Sequence, residues 1–182
     1  MSSIIASPRL DLIPLSPAFL EASLASNAAA AERLLGLTVP TGWFGSAGLL
    51  QMRLDQLRQD PGLQPWLLRA MGLRAEKTVI GHIGCHTRPD PDYLKDLAPG
   101  GVEFGYSVFP AYRRLGYATE ACAALMQWAH GEEGVDRFVL SISPENEPSL
   151  RLAARFGFHR IGSHIDEEDG PEDIYELVWE KS

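Results

Sequence analysis

The sequence predicts one domain, over residues 1–182, of the α+β (mixed α/β) class with a central mixed sheet. Helical and strand patterns follow one another as β-α-α-β-β-β-α-β-α-β-β rather than as strict βα repeats. Between Gly101 and Gly131 a strand leads through a glycine-containing loop into a helix. The next strand, Val135 to Ser143, is therefore expected to lie parallel to the strand before that helix, through a right-handed crossover.

Each element rests on hydrophobic spacing and on the residues that end it. Pro14 stops the first strand, Ser16 is a helix N-cap, and Gly36 and Gly157 end helices. The predicted elements are a strand at 9–15, helices at 17–35 and 46–60, strands at 65–73, 77–86 and 102–108, a helix from 116 to 131, a strand at 135–143, a helix at 148–156, and strands at 158–165 and 174–179.

Composition excludes several classes of function. The net charge of −8 disfavours a nucleic-acid binder, which would carry a basic face. An acidic surface suits a cationic partner such as an amine, although it also serves solubility. No apolar run is long enough to span a membrane, and the first residues do not have the pattern of a signal peptide. Two distant cysteines fit reduced thiols, so we expect a cytoplasmic protein.

The loop after the central strand has the chemistry of a phosphate site. A helix start presents unpaired backbone N–H groups and the positive end of the helix dipole. Gly116 lets a ligand approach the backbone closely, and Arg113 and Arg114 add charged donors. Neither the Walker pattern nor the Gly-x-Gly-x-x-Gly fingerprint is present. An ordinary strand-loop-helix turn remains the alternative.

Two motifs resemble the GNAT N-acetyltransferase superfamily. Arg113, Gly116 and Ala118 match its pyrophosphate loop, Gln/Arg-x-x-Gly-x-Gly/Ala, after a strand that ends in hydrophobic-x-Pro. Asn146-x-x-Ser149, followed by Gly-Phe at 157–158, resembles its second motif. With the opening RLDLIPL and the strand VEFGYSV, the chain is most similar to the Rim-type (RimJ/RimL-like) ribosomal-protein-alanine acetyltransferases.

This resemblance implies the GNAT acyl-CoA N-acyltransferase fold, with two splayed parallel strands. It implies acetyl-CoA as the cofactor and direct attack by an amine in a ternary complex. The pantetheine arm would pair with the central strand, where the backbone N–H of Val108 would face the thioester oxygen. The residues implied to bind the cofactor are Tyr106, Ser107, Val108, Arg113, Arg114, Leu115, Gly116, Tyr117, Ala118, Thr119 and Asn146.

Two residues are candidates for proton transfer. Glu103, on the central strand, is the predicted base, acting through water or with a pKa raised by burial. Its alternative is a strand glutamate that faces solvent or pairs with an arginine. The glutamate and the tyrosine that relatives use are replaced by Ser141 and Ala153, so Ser149 is the candidate to protonate the leaving thiolate.

The acceptor is expected to be a primary amine, either a peptide α-amine or a small molecule such as an antibiotic or a polyamine. Trp43 and Phe44 would line its pocket, or would plug a lid, and Tyr175 could face it. No metal site is expected from His82 and His86, which are four residues apart on one strand. We expect a monomer or a homodimer. A catalytically idle acyl-CoA-binding module is the second interpretation.

Overall fold

A computed structural model describes residues 3–167 and 170–179, and within them eight strands and five α-helices are found. In chain order the elements are β1 (Ile5–Ala6), β2 (Leu10–Pro14), α1 (Pro17–Leu24), α2 (Ala28–Leu35), α3 (Ala47–Gln59), β3 (Arg69–Leu73), β4 (Thr78–Cys85), β5 (Val102–Val108), α4 (Tyr117–Glu133), β6 (Arg137–Ile142), α5 (Glu147–Phe156), β7 (His159–Asp166) and β8 (Gly170–Val178). The predicted mixed α+β class is confirmed.

The first predicted helix is in fact two helices. The chain leaves α1 at Ala25, turns at Ser26 with a φ of 53°, and starts α2 with Asn27 as N-cap. The Asn27 side chain accepts a hydrogen bond from the N–H of Ala30. An asparagine that bonds to nearby backbone groups favours a cap over a helix interior, so the alanine run begins a new helix instead of continuing the first.

One strand was not predicted, and two others begin at different residues. β1 pairs with β2 through only two residues, too few to give a pattern in the sequence. β3 begins at Arg69, because the proline-containing stretch before it forms a turn. β8 begins at Gly170, four residues earlier than predicted, where the chain turns with a φ of 77°.

The first of two compact units contains residues 3–84 and 106–125. Its strands β1, β2, β3 and β4 are neighbours in that order, and each pair is antiparallel. Helix α1 packs against α2 and α3. The buried apolar cluster of this unit comprises Leu15, Phe19, Leu20, Ala31, Val39, Trp43, Leu50, Leu54, Leu57, Leu67, Leu68, Ala70 and Val79.

The second unit contains residues 85–105, 126–167 and 170–179. In it β5 pairs with β6 in parallel, with Val102 opposite Phe138 and Glu103 opposite Val139. The predicted parallel relation is therefore confirmed for these residues, whereas the splaying of the two strands stays a prediction. β6 is antiparallel to β8, which is antiparallel to β7. A single domain over residues 1–182 also stays a prediction.

No helix among the described residues is both long enough and apolar enough to cross a membrane. Both cysteines, Cys85 and Cys122, are free thiols and both are buried. Burial raises the pKa of Cys122 far above its usual value, so this thiol stays protonated and behaves as a small apolar group.

Candidate active site

The predicted phosphate loop joins β5 to α4 in the first unit. Its backbone takes the left-handed conformation at Arg114 (φ 63°) and at Gly116 (φ 84°). The N–H of Glu120 donates to the carbonyl of Gly116 at 3.1 Å, which makes it an early hydrogen bond of α4. The backbone N–H groups of Tyr117 to Thr119 lie in the first turn of α4, where an N–H group has no acceptor within the helix. Left-handed loop residues before a helix start are typical of anion-binding concavities.

Gly116 is required here for two reasons. Its φ of 84° is strained for any residue with a Cβ. A Cβ at this position would also lie 3.3 Å from Nη2 of Arg9, tighter than an ordinary contact. The loop can therefore keep this shape, with its backbone accessible, only with glycine.

A cluster that we call the Arg9 clamp connects the segment before β2 to this loop and to the first turn of α4. The guanidinium of Arg9 lies 4.3 Å from the ring centre of Tyr117 and donates to the carbonyl of Leu115 at 3.0 Å. Its Nε donates to Oε2 of Glu120 at 2.6 Å. The backbone N–H of Arg9 and the hydroxyl of Ser7 each donate to Oε1 of Glu120 at 2.7 Å. The clamp is thus Ser7, Arg9, Leu115, Tyr117 and Glu120.

Charge within the clamp is balanced. Burial raises the pKa of Glu120, but the hydrogen bonds from Ser7 and Arg9 and the charge of Arg9 outweigh it, so the pKa lies below its usual value. Glu120 therefore stays ionised near neutral pH. Arg74 in turn donates to the carbonyls of Ser7 and Pro8, which fixes the segment that carries Arg9. The sequence prediction did not include Arg9 or Glu120.

The end of β5, which is predicted to pair with pantetheine, is held closely by its neighbours in the first unit. The N–H of Phe109 donates to the carbonyl of Ile80 at 2.8 Å, and a Cβ on Gly81 would lie 2.1 Å from the carbonyl oxygen of Ser107. The Nε of Arg113 donates to the carbonyl of Val108 at 2.8 Å. Arg113 therefore fixes the strand end as well as bringing charge to the loop.

Glu103, the predicted base, lies in the second unit and is only 7% exposed. Its Oε1 accepts a hydrogen bond of 2.6 Å from the Ser141 hydroxyl, and its Oε2 lies 3.4 Å from Nδ1 of His86. Burial raises the pKa of Glu103, but the hydrogen bonds from His86, Ser141 and Tyr93 and the charge of His86 outweigh it, so the pKa is lowered. The expectation of a pKa raised by burial is wrong, and so is that of a glutamate that faces solvent.

Asn146 and Ser149 lie at the start of α5 in the same unit. Asn146 is the N-cap, and its Oδ1 accepts a hydrogen bond of 3.3 Å from the backbone N–H of Ser149. Gly157 ends the helix in the left-handed conformation, with a φ of 88°. The capping roles are therefore observed, and the roles of Asn146 toward the cofactor and of Ser149 toward the thiolate stay predictions.

The three predicted acceptor residues lie in different surroundings. Trp43 is a core residue of the first unit: it is 1% exposed, and its indole N–H donates to the hydroxyl of Ser23 at 3.0 Å. The ring of Trp43 packs in the core of this unit, and its assignment to the acceptor pocket stays a prediction. Phe44 is half-buried against the same core. Tyr175 is half-buried on β8, opposite Leu140 of β6.

His82 packs its ring against Trp43, and this contact makes stability depend on pH. The ring centres are 6.1 Å apart, and burial, then the charge of Arg53, lowers the pKa of His82 from 6.5 to about 4. Above pH 6.5 His82 is neutral in both the folded and the unfolded chain, so the folded state loses no stability through it. As the pH falls from 6.5 toward 4, the His82 imidazole binds a proton in the unfolded chain but not in the folded one, and the free energy of unfolding decreases. We expect His82 to account for about 3 kcal/mol of the unfolding free energy lost over that window.

Urea unfolding of the wild type and of His82→Gln at pH 7 and at pH 4 measures this loss. The variant should lose less stability on acidification than the wild type. His164→Gln, which removes a histidine that is 41% exposed in its side chain, is the control and should keep the wild-type slope. Equal acid losses for the wild type and His82→Gln would contradict the assignment.

The sequence profile of the family described as "Acetyltransferase (GNAT) domain" matches residues 9–159. The chain belongs to the GNAT acetyltransferase family. The match includes β2 to α5, and with them both the loop before α4 and Glu103. The family membership predicted from the two motifs is confirmed, as is the prediction that the chain carries an acetyltransferase domain.

Known proteins similar to this GNAT chain agree with that placement. The Bacillus subtilis protein named "Uncharacterized N-acetyltransferase YnaD" is 32% identical over 90 residues, which are 50% of this chain and 48% of that protein. The chain spans about half the length, or less, of the curated relatives that it matches.

Solved structures show the same fold over nearly the whole chain. RimL, the ribosomal L7/L12 α-N-protein acetyltransferase in complex with coenzyme A, has a TM-score of 0.63 at 16% identity, over 97% of this chain and 98% of that one. The ribosomal-protein-S5-alanine acetyltransferase of Vibrio fischeri has a TM-score of 0.63 at 14% identity, over 98% of this chain and all of that one. At such identities the likeness concerns the fold.

Proposed function

We propose that this GNAT chain is an acetyltransferase that moves the acetyl group of acetyl-CoA to a primary amine. The observation that carries the proposal is the loop before α4. Its two left-handed residues and the N–H groups of the first helical turn form a donor set for a diphosphate. The Arg9 clamp supports this shape, because it ties Leu115 of the loop and Glu120 of the first helical turn to the same guanidinium.

The residues of the loop fit coenzyme A by their chemistry. The backbone N–H groups of residues 114–119 would bind the pyrophosphate, and Arg113 and Arg114 would add positive charge. Tyr106, Ser107 and Val108 would hold the pantetheine amides, with the N–H of Val108 toward the thioester oxygen. The family match and the RimL complex with coenzyme A support this assignment.

For the acceptor we propose a peptide α-amine. An α-amino group has a pKa near 7.7–8.0, against 10.4 for lysine, so a base of modest strength is sufficient. The structural neighbours named for ribosomal-protein α-amines support the same class. In this proposal Glu103 supplies negative charge near the ammonium proton that must be removed. The hydroxyl of Ser149 protonates the leaving thiolate of coenzyme A.

An idle acyl-CoA-binding module is the second candidate, and one residue favours it. Ala153 is buried at the position where many relatives have a tyrosine acid, and it carries no proton donor. In that case the phosphate loop would bind coenzyme A while the transfer step is lost.

Calorimetry with coenzyme A and a thiol-release assay with acetyl-CoA test the proposal together. The panel contains peptides with a free N-terminal alanine or serine, an N-terminally blocked lysine peptide, spermidine and an aminoglycoside. We expect binding of coenzyme A, and release only with the free N-terminal peptides, whose mass should rise by one acetyl group. No heat with coenzyme A would overturn the proposal, and heat without release from any acceptor would favour the idle module.

A further inference from the structure

His86, directly after β4, is brought against two residues of β5 in the second unit. Its Nδ1 lies 3.4 Å from Oε2 of Glu103, and its backbone N–H donates to the carbonyl of Glu103 at 2.9 Å. Its Nε2 lies over Gly105, where a Cβ would approach within 3.3 Å. Glu103 and Gly105 are two residues apart on one strand, so they lie on the same face of the sheet.

The two ring nitrogens of His86 thus have different surroundings. A carboxylate beside Nδ1 favours the tautomer that carries its hydrogen there, which leaves Nε2 as a proton acceptor. The side chain of His86 is 40% exposed, whereas that of Glu103 is 9% exposed. Solvent and an incoming amine can therefore reach the imidazole more readily than the carboxylate.

Glu103 is poorly suited to take the proton itself. Ser141 of β6 and Tyr93, on the segment between β4 and β5, face the same carboxylate as His86 does. A carboxylate that already accepts these hydrogen bonds is a weak base. The ordinary pKa of imidazole, near 6.5, is closer to the pKa of an α-amine than the pKa of a carboxyl group is. An imidazole therefore suits general base catalysis near neutral pH.

We propose that His86 is the residue that takes the proton from the acceptor amine, and that Glu103 is the positioning residue that holds its ring. This rests on the proposed acetyltransferase function and deepens it. Gly105 directly precedes Tyr106 to Val108 in the chain, the residues assigned to pantetheine. The absence of a side chain at Gly105 leaves room for Nε2.

The proton balance is complete without a further reactant. Nε2 takes one proton from the ammonium group, and the neutral nitrogen then attacks the thioester carbon. The C–N bond forms, and the C–S bond breaks as its electron pair leaves with sulfur. The second proton of the nitrogen ends on the thiolate, and His86 returns its proton to water, so that one proton is released for each acetyl group transferred.

The test compares His86→Gln with the wild type, using acetyl-CoA and a saturating peptide with a free N-terminal alanine. We expect kcat at pH 7 to fall about a hundredfold, while the Kd for coenzyme A stays within twofold. The wild-type kcat should fall as the pH is lowered, because the imidazole must be neutral to accept a proton, and this acid limb should disappear in the variant. Added imidazole should restore part of the activity of His86→Ala.

His159→Gln is the matched control. Nε2 of His159 also lies near a buried glutamate of the same unit, 3.6 Å from Oε2 of Glu176, but this pair has no part in the proposed site. The His159→Gln variant should keep the wild-type kcat and the wild-type pH profile. If the wild type transfers acetyl groups and His86→Gln keeps more than half of kcat with the same acid limb, this inference fails while the proposed function stands. If the wild type neither binds coenzyme A nor releases thiol, the proposed function itself fails.

Discussion

Gly116→Val is expected to weaken coenzyme A binding about a hundredfold. The native φ of 84° is an outlier for a β-branched residue and costs about 1–3 kcal/mol, the upper end of which corresponds to about a hundredfold in affinity. The new side chain would also meet Nη2 of Arg9, which lies 3.3 Å from the Cβ position. The loop should therefore leave the shape in which its N–H groups converge. Calorimetry with coenzyme A measures the change.

Gly36→Val is the matched control for this variant. Gly36 ends α2 with a φ of 76°, nearly the same backbone strain, and no heavy atom lies within 4 Å of its Cβ position. It should lower the melting temperature while the Kd for coenzyme A stays unchanged. Unchanged binding by Gly116→Val would show that the loop before α4 is not the pyrophosphate site.

Glu103→Gln is expected to lower turnover about a hundredfold at neutral pH, with the Kd for coenzyme A within twofold of the wild type. Glutamine keeps the size of the side chain and can still accept the hydrogen bond from Ser141. It lacks the negative charge that lies beside Nδ1 of His86 and orients the ring. Thiol release under saturating acetyl-CoA and peptide measures turnover, and calorimetry measures binding.

Glu176→Gln separates a catalytic effect from a structural one. Glu176 is buried in the same unit, 6% exposed, and pairs with Arg137 at 3.0 Å and with His159 at 3.6 Å. Its loss should reduce the free energy of unfolding and leave turnover near the wild-type value. Turnover of Glu103→Gln equal to that of Glu176→Gln would remove Glu103 from the mechanism.

The parts of the fold that the sequence predicted are those set by local chemistry. Gly116 and the helix after it, the cap at Asn146 and the stop at Gly157 depend on residues within one or two turns of each other. The parallel pairing of β5 and β6 followed from the single helix between them. These features need no knowledge of distant contacts.

The parts that the sequence missed depend on residues far apart in the chain. Arg9 and Glu120 are 111 residues apart. An acid in the first turn of a phosphate-binding helix would repel the ligand unless a cation neutralised it, and that conflict was the available signal. The hydrogen bond from the indole N–H of Trp43 to Ser23 was missed as well, because a tryptophan in a loop gives no sign of whether its N–H meets solvent or a distant side chain.

The Arg9 clamp has a consequence for the order in which the protein becomes competent. Its two halves come from the first ten residues and from the middle of the chain, so the entropy of closing a long segment must be overcome before it forms. A nascent chain on the ribosome can complete the helix α4 early, since helices form locally. The loop before α4 would take its final shape only once β2 has docked, so that, with this loop as the proposed pyrophosphate site, affinity for coenzyme A should appear late in native assembly.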